Sequence, residues 1–423
     1  MSPARGVVGA EVARPRRSAP ADRERDQPEP PLHPPVSADP VPSFPLCRRR
    51  HPGSSARAMP GGGSRANGLP VQPVFSTTPK ALAAILERSG IAPYRAGQVL
   101  SWIYGRGVVD PAAMSNLPAE LRELLAQELA PPALEVLQVA RSNDLTRKFA
   151  VRLADGEVVE SVLIPDRHRM TLCVSSQVGC AMGCGFCATA RLGLRRHLSP
   201  DEIVAQVMLA RRHLEEEPFG CGHLTNLVFM GMGEPLHNLE NLLAALEILT
   251  APWGLGISPR RITVSTVGLV PQMRELLERT QVNLAVSLAA TTEESRRALM
   301  PVTRKYSLAE LIDACRELPV PRRRRITFEY VMLAGVNDTD DDARRLVRLL
   351  HGIRSKVNLI CFNAFDGAGY AGSAAERRER FQRLLLEHGV NATIRESRGP
   401  DIAAACGQLA RQSAEPTELP ALR

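Results

Sequence analysis

Aromatic side chains are scarce in this chain, with 10 Phe, 5 Tyr and 2 Trp among 423 residues. That scarcity excludes an extended stacking platform for indiscriminate binding of single strands, which needs an aromatic face for each successive base. No run of about 18 apolar residues is present, and Arg5, Arg14, Arg16 and Arg17 are not followed by the apolar stretch of a secretory leader. The expectation is a cytoplasmic protein. Cysteine is also sparse: nine residues are too few for a disulfide scaffold in a chain of this length, so any clustered thiols point to metal or catalysis. Net charge is modest at +8, and residues 1–75 hold 11 Arg against 6 acidic residues. Overall charge is therefore weak evidence for a nucleic-acid partner.

What is present divides the chain. Sixteen of the 34 prolines fall before residue 80, beside Gly61 to Gly63 and Arg48 to Arg50. Such a stretch buries too little apolar surface to offset its chain entropy, so 1–75 reads as a disordered basic tail, either an electrostatic tether for RNA or an unselected extension. From 76 to 135 the steps Leu82, Ile85, Leu86, then Val99, Leu100, Ile103, then Leu121, Leu124, Leu125, Leu129 predict a small helical domain. Two β runs, Lys148 to Leu153 and Val158 to Ile164, flank Ala154-Asp155-Gly156 and predict a hairpin linker over 136–168. Strands are then expected at Met170 to Ser175, Asn226 to Met230, Arg261 to Ser265, Val282 to Ser287, Arg325 to Met332 and Val357 to Phe362, with helices between them. Six βα units over 169–410 imply an α/β fold, a partial parallel (β/α)6 barrel, with its chemistry at the C-terminal ends of the strands. Residues 411–423 read as a flexible end.

Directly after the first of these strands stands Gly179-Cys180-Ala181-Met182-Gly183-Cys184-Gly185-Phe186-Cys187, a C-x3-C-x2-C spacing. Three thiolates in eight residues suit three irons of an iron–sulfur cube, leaving the fourth iron open to a small chelating molecule. The alternative is a structural zinc, which requires a fourth ligand such as Cys173. The triad resembles the signature of radical S-adenosylmethionine (SAM) enzymes. Thr171 to Cys180, Gly231-Met232-Gly233-Glu234-Pro235 and Asp401-Ile402-Ala403-Ala404-Ala405-Cys406-Gly407-Gln408-Leu409 narrow the similarity to the RlmN family, over about residues 76 to 410.

The resemblance implies one [4Fe-4S] cluster on Cys180, Cys184 and Cys187, and SAM contacts at Gly233, Glu234, Ser265, Ser287, Leu288, Ala289 and Asn363. Ala289 stands where the family usually has histidine, and Cys361 and Ala364 replace prolines common in the family. It further implies methylation of adenine C2 in 23S rRNA and tRNA, two SAM per turnover, an RNA-binding role for the helical domain, and an electron donor such as flavodoxin acting on a monomer. Cys406 would carry the methyl group. Cys173 would resolve the adduct, closing a disulfide with Cys406, and Glu160 matches the family's proton acceptor. Cys47, Cys221, Cys315 and Cys361 match no motif. Basic clusters at Arg191, Arg195 and Arg196, at Arg322 to Arg325, and at Arg377, Arg378 and Arg380 offer contacts to RNA or simply solvated faces. Two other readings stay open at this point: methylation at adenine C8, as in the relative Cfr, and a zinc-stabilised RNA-binding protein without catalysis.

Overall fold

Alternation of apolar strand runs with amphipathic helices is realised as a single large sheet. The computed structural model describes residues 71–409 apart from Ala133. Ten strands form this sheet: β1 (Glu135–Arg141), β2 (Arg147–Arg152), β3 (Val158–Asp166), β4 (Arg169–Cys173), β5 (Asn226–Phe229), β6 (Ile262–Thr266), β7 (Asn283–Ser287), β8 (Ile326–Met332), β9 (Ser355–Cys361) and β10 (Ala392–Arg395). They neighbour one another in chain order. The first four pair antiparallel, and from β4 to β10 every pairing is parallel, with β8 and β9 in register from Ile326↔Ser355 to Met332↔Cys361. The sheet is open rather than closed, with β1 and β10 at its edges.

Two expectations are corrected and the six βα units gain one further strand. The hairpin of 136–168 is no linker: β2 and β3 continue the barrel sheet, with β1 as a further strand outside them. A seventh parallel strand, β10, follows the six expected. Four residues, Ala392–Arg395, are too short to register as a periodic run. The basic tail also ends earlier than expected, because Val74 and Phe75 are buried and the Phe75 amide donates to Asp201 Oδ1 at 2.7 Å. Residues 1–70 and 410–423, where the tail and the flexible C-terminus were expected, lie outside the described residues.

Helices α1 (Pro79–Arg88), α2 (Arg95–Leu100) and α3 (Ala119–Glu128) form the N-terminal helical region, and Leu82, Val99, Ile103, Leu121 and Leu125 are buried in it. The barrel helices are α4 (Ala188–Arg191), α5 (Pro200–Glu216), α6 (Leu239–Thr250), α7 (Val270–Arg279), α8 (Glu293–Leu299), α9 (Leu308–Glu317), α10 (Asp340–Leu350) and α11 (Ala375–Glu387). Sequence starts several of them cleanly. Ser199 and Glu202 form a capping box with Pro200 in the first turn of α5, and Thr339 and Asp342 do the same for α10. Each cap fixes where the helix begins, and so where the preceding strand-end loop must deliver its side chains.

Candidate active site

The C-terminal ends of the parallel strands surround a cavity of ≈ 150 Å³, open on one side to solvent. Cys180, Cys184 and Cys187 line it, on the loop between a short strand Gln177–Gly179 and α4. Gly179 makes that loop possible: its φ of +74° is left-handed, and a Cβ there would run into the Gly193 carbonyl of the returning strand. The Cys180 amide donates to that same carbonyl at 2.9 Å. Burial pushes the Cys180 thiol up to about 12 and the Cys184 thiol well above its ordinary range, with repulsion among the three sulfurs adding to both. Thiols gathered in a poorly solvated wall are a donor set that a cationic iron–sulfur core satisfies. Among the described residues no three His, Cys, Asp or Glu side chains converge as the ligands of a single metal ion. Cys173 is not on the cavity wall. The four-cysteine zinc site therefore has no support in the geometry.

Facing the triad, Gly233 and Glu234 close the loop after β5. A Cβ on Gly233 would lie 2.5 Å from Gln177 Cβ, and Gln177 Oε1 accepts the Glu234 amide at 2.8 Å. The Glu234 carboxylate accepts from Leu236 N at 3.0 Å and Val267 N at 2.9 Å. Burial raises this carboxyl to about 7 against the pull of those donors. Ser265 and Ser287 line the cavity from the ends of β6 and β7. Leu288 and Ala289 are fully buried behind it; the Leu288 amide donates to Glu329 O at 2.9 Å and Ala289 O accepts from Asn337 Nδ2 at 2.7 Å. Asn363 is also off the wall, donating to Cys361 O at 3.1 Å and accepting from Ser397 Oγ at 2.5 Å.

Cys406 reaches the cavity from the opposite direction. Its loop, beyond β10, folds back over the strand ends, and Ala188 N donates to Gly407 O at 2.7 Å. The residue is exposed and lines the cavity, and the burial of its thiol raises its pKa. The loop is gripped by the turn between β1 and β2. Asp401 accepts from Ser142 Oγ at 2.5 Å and Asn143 N at 3.1 Å, while Asp144 accepts from Gly399 N at 3.0 Å. Cys173, at the end of β4, is brought close enough that Cys406 adds to the burial already raising its thiol. Both are free thiols. Glu160 lies deeper, 3% exposed, and its Oε1 pairs with Lys148 Nζ at 3.0 Å. Lys148 Nζ also donates to Ala403 O at 3.3 Å, which links Glu160 to the loop carrying Cys406.

Four residues were given no role by the sequence. Arg296, 1% exposed, donates to the carbonyls of Val267, Ser287 and Leu288 and to Thr303 Oγ1, which staples the ends of β6 and β7. Glu329 of β8 lines the cavity, takes Asn358 Nδ2 at 2.9 Å and is raised to about 7 by burial. Gln177 and Lys148 complete the set. Polar residues inside apolar strand runs, as Lys148 and Glu329 are, were the available signal. Two of the basic clusters are neutralised internally. Arg195 pairs with Glu157 and Arg196 with Asp155 and Glu202; Arg191 donates to the carbonyls of Asp366 and Gly367; Arg377 and Arg380 share Asp340.

Comparison with known proteins agrees with the geometry. Residues 74–130 match the family model for the ribosomal RNA large subunit methyltransferase N-terminal domain, and 174–349 match the radical SAM superfamily. The chain is 53% identical over 333 residues to the dual-specificity RNA methyltransferase RlmN of Anaeromyxobacter dehalogenans, covering 78% of this chain and 90% of that protein. It is 52% identical over 329 residues to the protein of the same name from Syntrophotalea carbinolica, covering 78% and 86%. A crystal structure of a radical SAM methyltransferase from Sphaerobacter thermophilus superposes with a TM-score of 0.76 at 44% identity, over 80% of this chain and 99% of that one.

Proposed function

The chain belongs to the RlmN family of radical SAM RNA methyltransferases, and from that membership we propose that it methylates adenine C2 in 23S rRNA and in tRNA through a methyl group carried on Cys406. The enzyme uses a [4Fe-4S] cluster and SAM. Cys180, Cys184 and Cys187 would hold the cluster, and when bound it supplies the single electron that makes an organic radical from SAM. Gly233 and Glu234 would receive the charged methionine end of SAM, with Ser265, Ser287, Leu288, Ala289 and Asn363 along the rest of the molecule. The observation that carries the reading is the convergence of Cys406, from the far end of the chain, on the cavity lined by the cysteine triad.

Adenine C2 is not nucleophilic, so a covalent route divides one hard step into easier ones. Cys406 would take a methyl group on its sulfur, lose one hydrogen atom of it to the SAM-derived radical and bond to C2 through the carbon, one electron returning from the adduct to the carrier that supplied it. The C2 proton would pass to Glu160, or to Cys173 and on to solvent, and Cys173 as its thiolate then attacks the Cys406 sulfur. The S–CH2 bond breaks, its electron pair takes a proton to complete the methyl group, and a Cys173–Cys406 disulfide remains. Two electrons from an external reductant reset it. A target base must leave its helix to reach the cavity, so a loop or flipped adenine is the substrate. The helical region of 76–135 serves as the RNA-binding module, and a small electron carrier such as flavodoxin is the reductant for a monomeric, cytoplasmic enzyme. Among the described residues no helix is long and apolar enough to cross a membrane.

The test is anaerobic reconstitution followed by digestion of treated rRNA. A four-iron chromophore and 2-methyladenosine are expected; absence of labile sulfide defeats the assignment, and an 8-methyladenosine product moves it to the C8 chemistry of Cfr.

A further inference from the structure

The end of the barrel opposite the cavity has a different charge pattern. Five connections feed β6 to β10 from the preceding helices: residues 251–261, 280–282, 318–325, 351–354 and 388–391. None contains an acidic residue. Together they carry Arg260, Arg261, the run Arg322 to Arg325, and Arg354. None of these arginines forms a salt bridge among the described residues, and all except Arg324 are exposed. Nearby acids sit on the last turns of the helices, as Glu278, Glu317 and Glu387, and Glu317 is already paired with Arg274.

These connections form one surface. Arg354 donates to Val320 O at 2.7 Å, Arg324 to Val282 O at 3.2 Å, and Asn283 Nδ2 to Arg260 O at 2.8 Å. Burial and then the charge of Arg260 hold the Arg324 guanidinium below its ordinary range, so the arginines repel one another across this face. A polar recess of ≈ 200 Å³, lined by His351, Ser355 and His388 among others, opens in the same region. The contrast with the mouth matters, because there comparable arginines are neutralised by Asp155, Glu157, Glu202 and Asp340. Guanidinium groups without carboxylates are free to take phosphate in a forked, charge-assisted geometry.

We propose that this face, centred on Arg260, Arg261 and Arg322 to Arg325, is a second RNA-contacting surface that binds the phosphodiester backbone of a large folded substrate at the end of the barrel away from the cavity. The assignment rests on RNA being the substrate. Strands of five to seven residues separate the two ends by about 15–25 Å. A short hairpin filling the cavity does not reach the second face, whereas a large RNA passes around the barrel to it. The face therefore selects for substrate size, through affinity and not through chemistry.

The test uses full-length protein with Arg322→Ala, Arg323→Ala and Arg325→Ala combined, three exposed side chains with no hydrogen-bonded partner among the described residues. Binding of a full tRNA transcript, followed against salt, should lose about 2 to 3 from its log–log slope and about tenfold in affinity at low salt. KM for the transcript should rise with kcat unchanged, a short anticodon hairpin should be methylated as by wild type, and the triple Arg→Lys protein should keep most of the slope. An unchanged slope and KM overturn the proposal. So does loss of binding to phosphatidylserine vesicles with RNA binding intact, which would reassign the face to membranes. If wild type methylates neither RNA, the substrate reading fails instead, and the binding slopes still decide whether the face contacts RNA.

Discussion

The two ends of the barrel treat charge in opposite ways. At the mouth the strand ends contribute small or polar groups, and several cations are buried and bonded, as Arg296 is by three carbonyls and Thr303, or matched to carboxylates, as Arg196 is by Asp155 and Glu202. At the other end arginines stand together without carboxylates. A cavity that must hold one small molecule in one geometry needs groups locked by their neighbours, because loosely held charge costs precision. A surface that meets a polyanion gains from unmatched charge, since each phosphate neutralised releases counterions.

The largest effect should come at the mouth. Cys406→Ala removes the sulfur proposed to carry the methyl group, so methylation of both protein and RNA should fall below detection by peptide and nucleoside mass spectrometry, with iron content unchanged. Cys173→Ala comes next: addition to adenine proceeds, release slows by about a hundredfold or more, and a denaturing gel should show a protein–RNA crosslink that resists thiol reductants. Release at the wild-type rate would move the duty to Glu160. Lys148→Met leaves the Glu160 carboxylate without its cation in a buried setting, so chemical denaturation should register a loss of about 3 kcal/mol, partly restored when Glu160→Gln is added.

Glu329→Gln acts with the opposite sign. The folded carboxyl keeps its proton up to about 7, against an ordinary 4.5, so native stability falls as pH climbs through that window and stays reduced above it. The amide removes that penalty and still accepts from Asn358. Melting temperature should rise most at pH 8 and little at pH 4.5, by at most about 3 kcal/mol of stability; equal gains at both pH values would show that the carboxyl ionises normally. The smallest effect is that of the arginines at the far end, about tenfold in RNA affinity with kcat untouched.

The barrel was legible where periodicity was long. All six expected strands lie within a few residues of their expected bounds with helices between them, because buried parallel strands read as apolar runs and capping residues mark helix starts. Short elements were not: β10 and α8 have four and seven residues. The cysteine triad was legible because its three cysteines are adjacent in sequence. The association of Lys148 with Glu160 and Ala403 was not, since it depends on the β1–β2 turn gripping a loop more than 250 residues later, which no local pattern encodes. The arginine clusters looked alike in sequence; only the positions of acidic side chains in space separate the neutralised ones from the unmatched one.

Whether Cys406 delivers its own methyl carbon to RNA is best decided by a single-turnover label transfer. Protein methylated in advance from deuterium-labelled SAM is freed of small molecules, then given unlabelled SAM and RNA. If the account holds, the first 2-methyladenosine formed carries deuterium in its methyl group and Cys406 loses its label. An unlabelled first product, with the label still on Cys406, would contradict it.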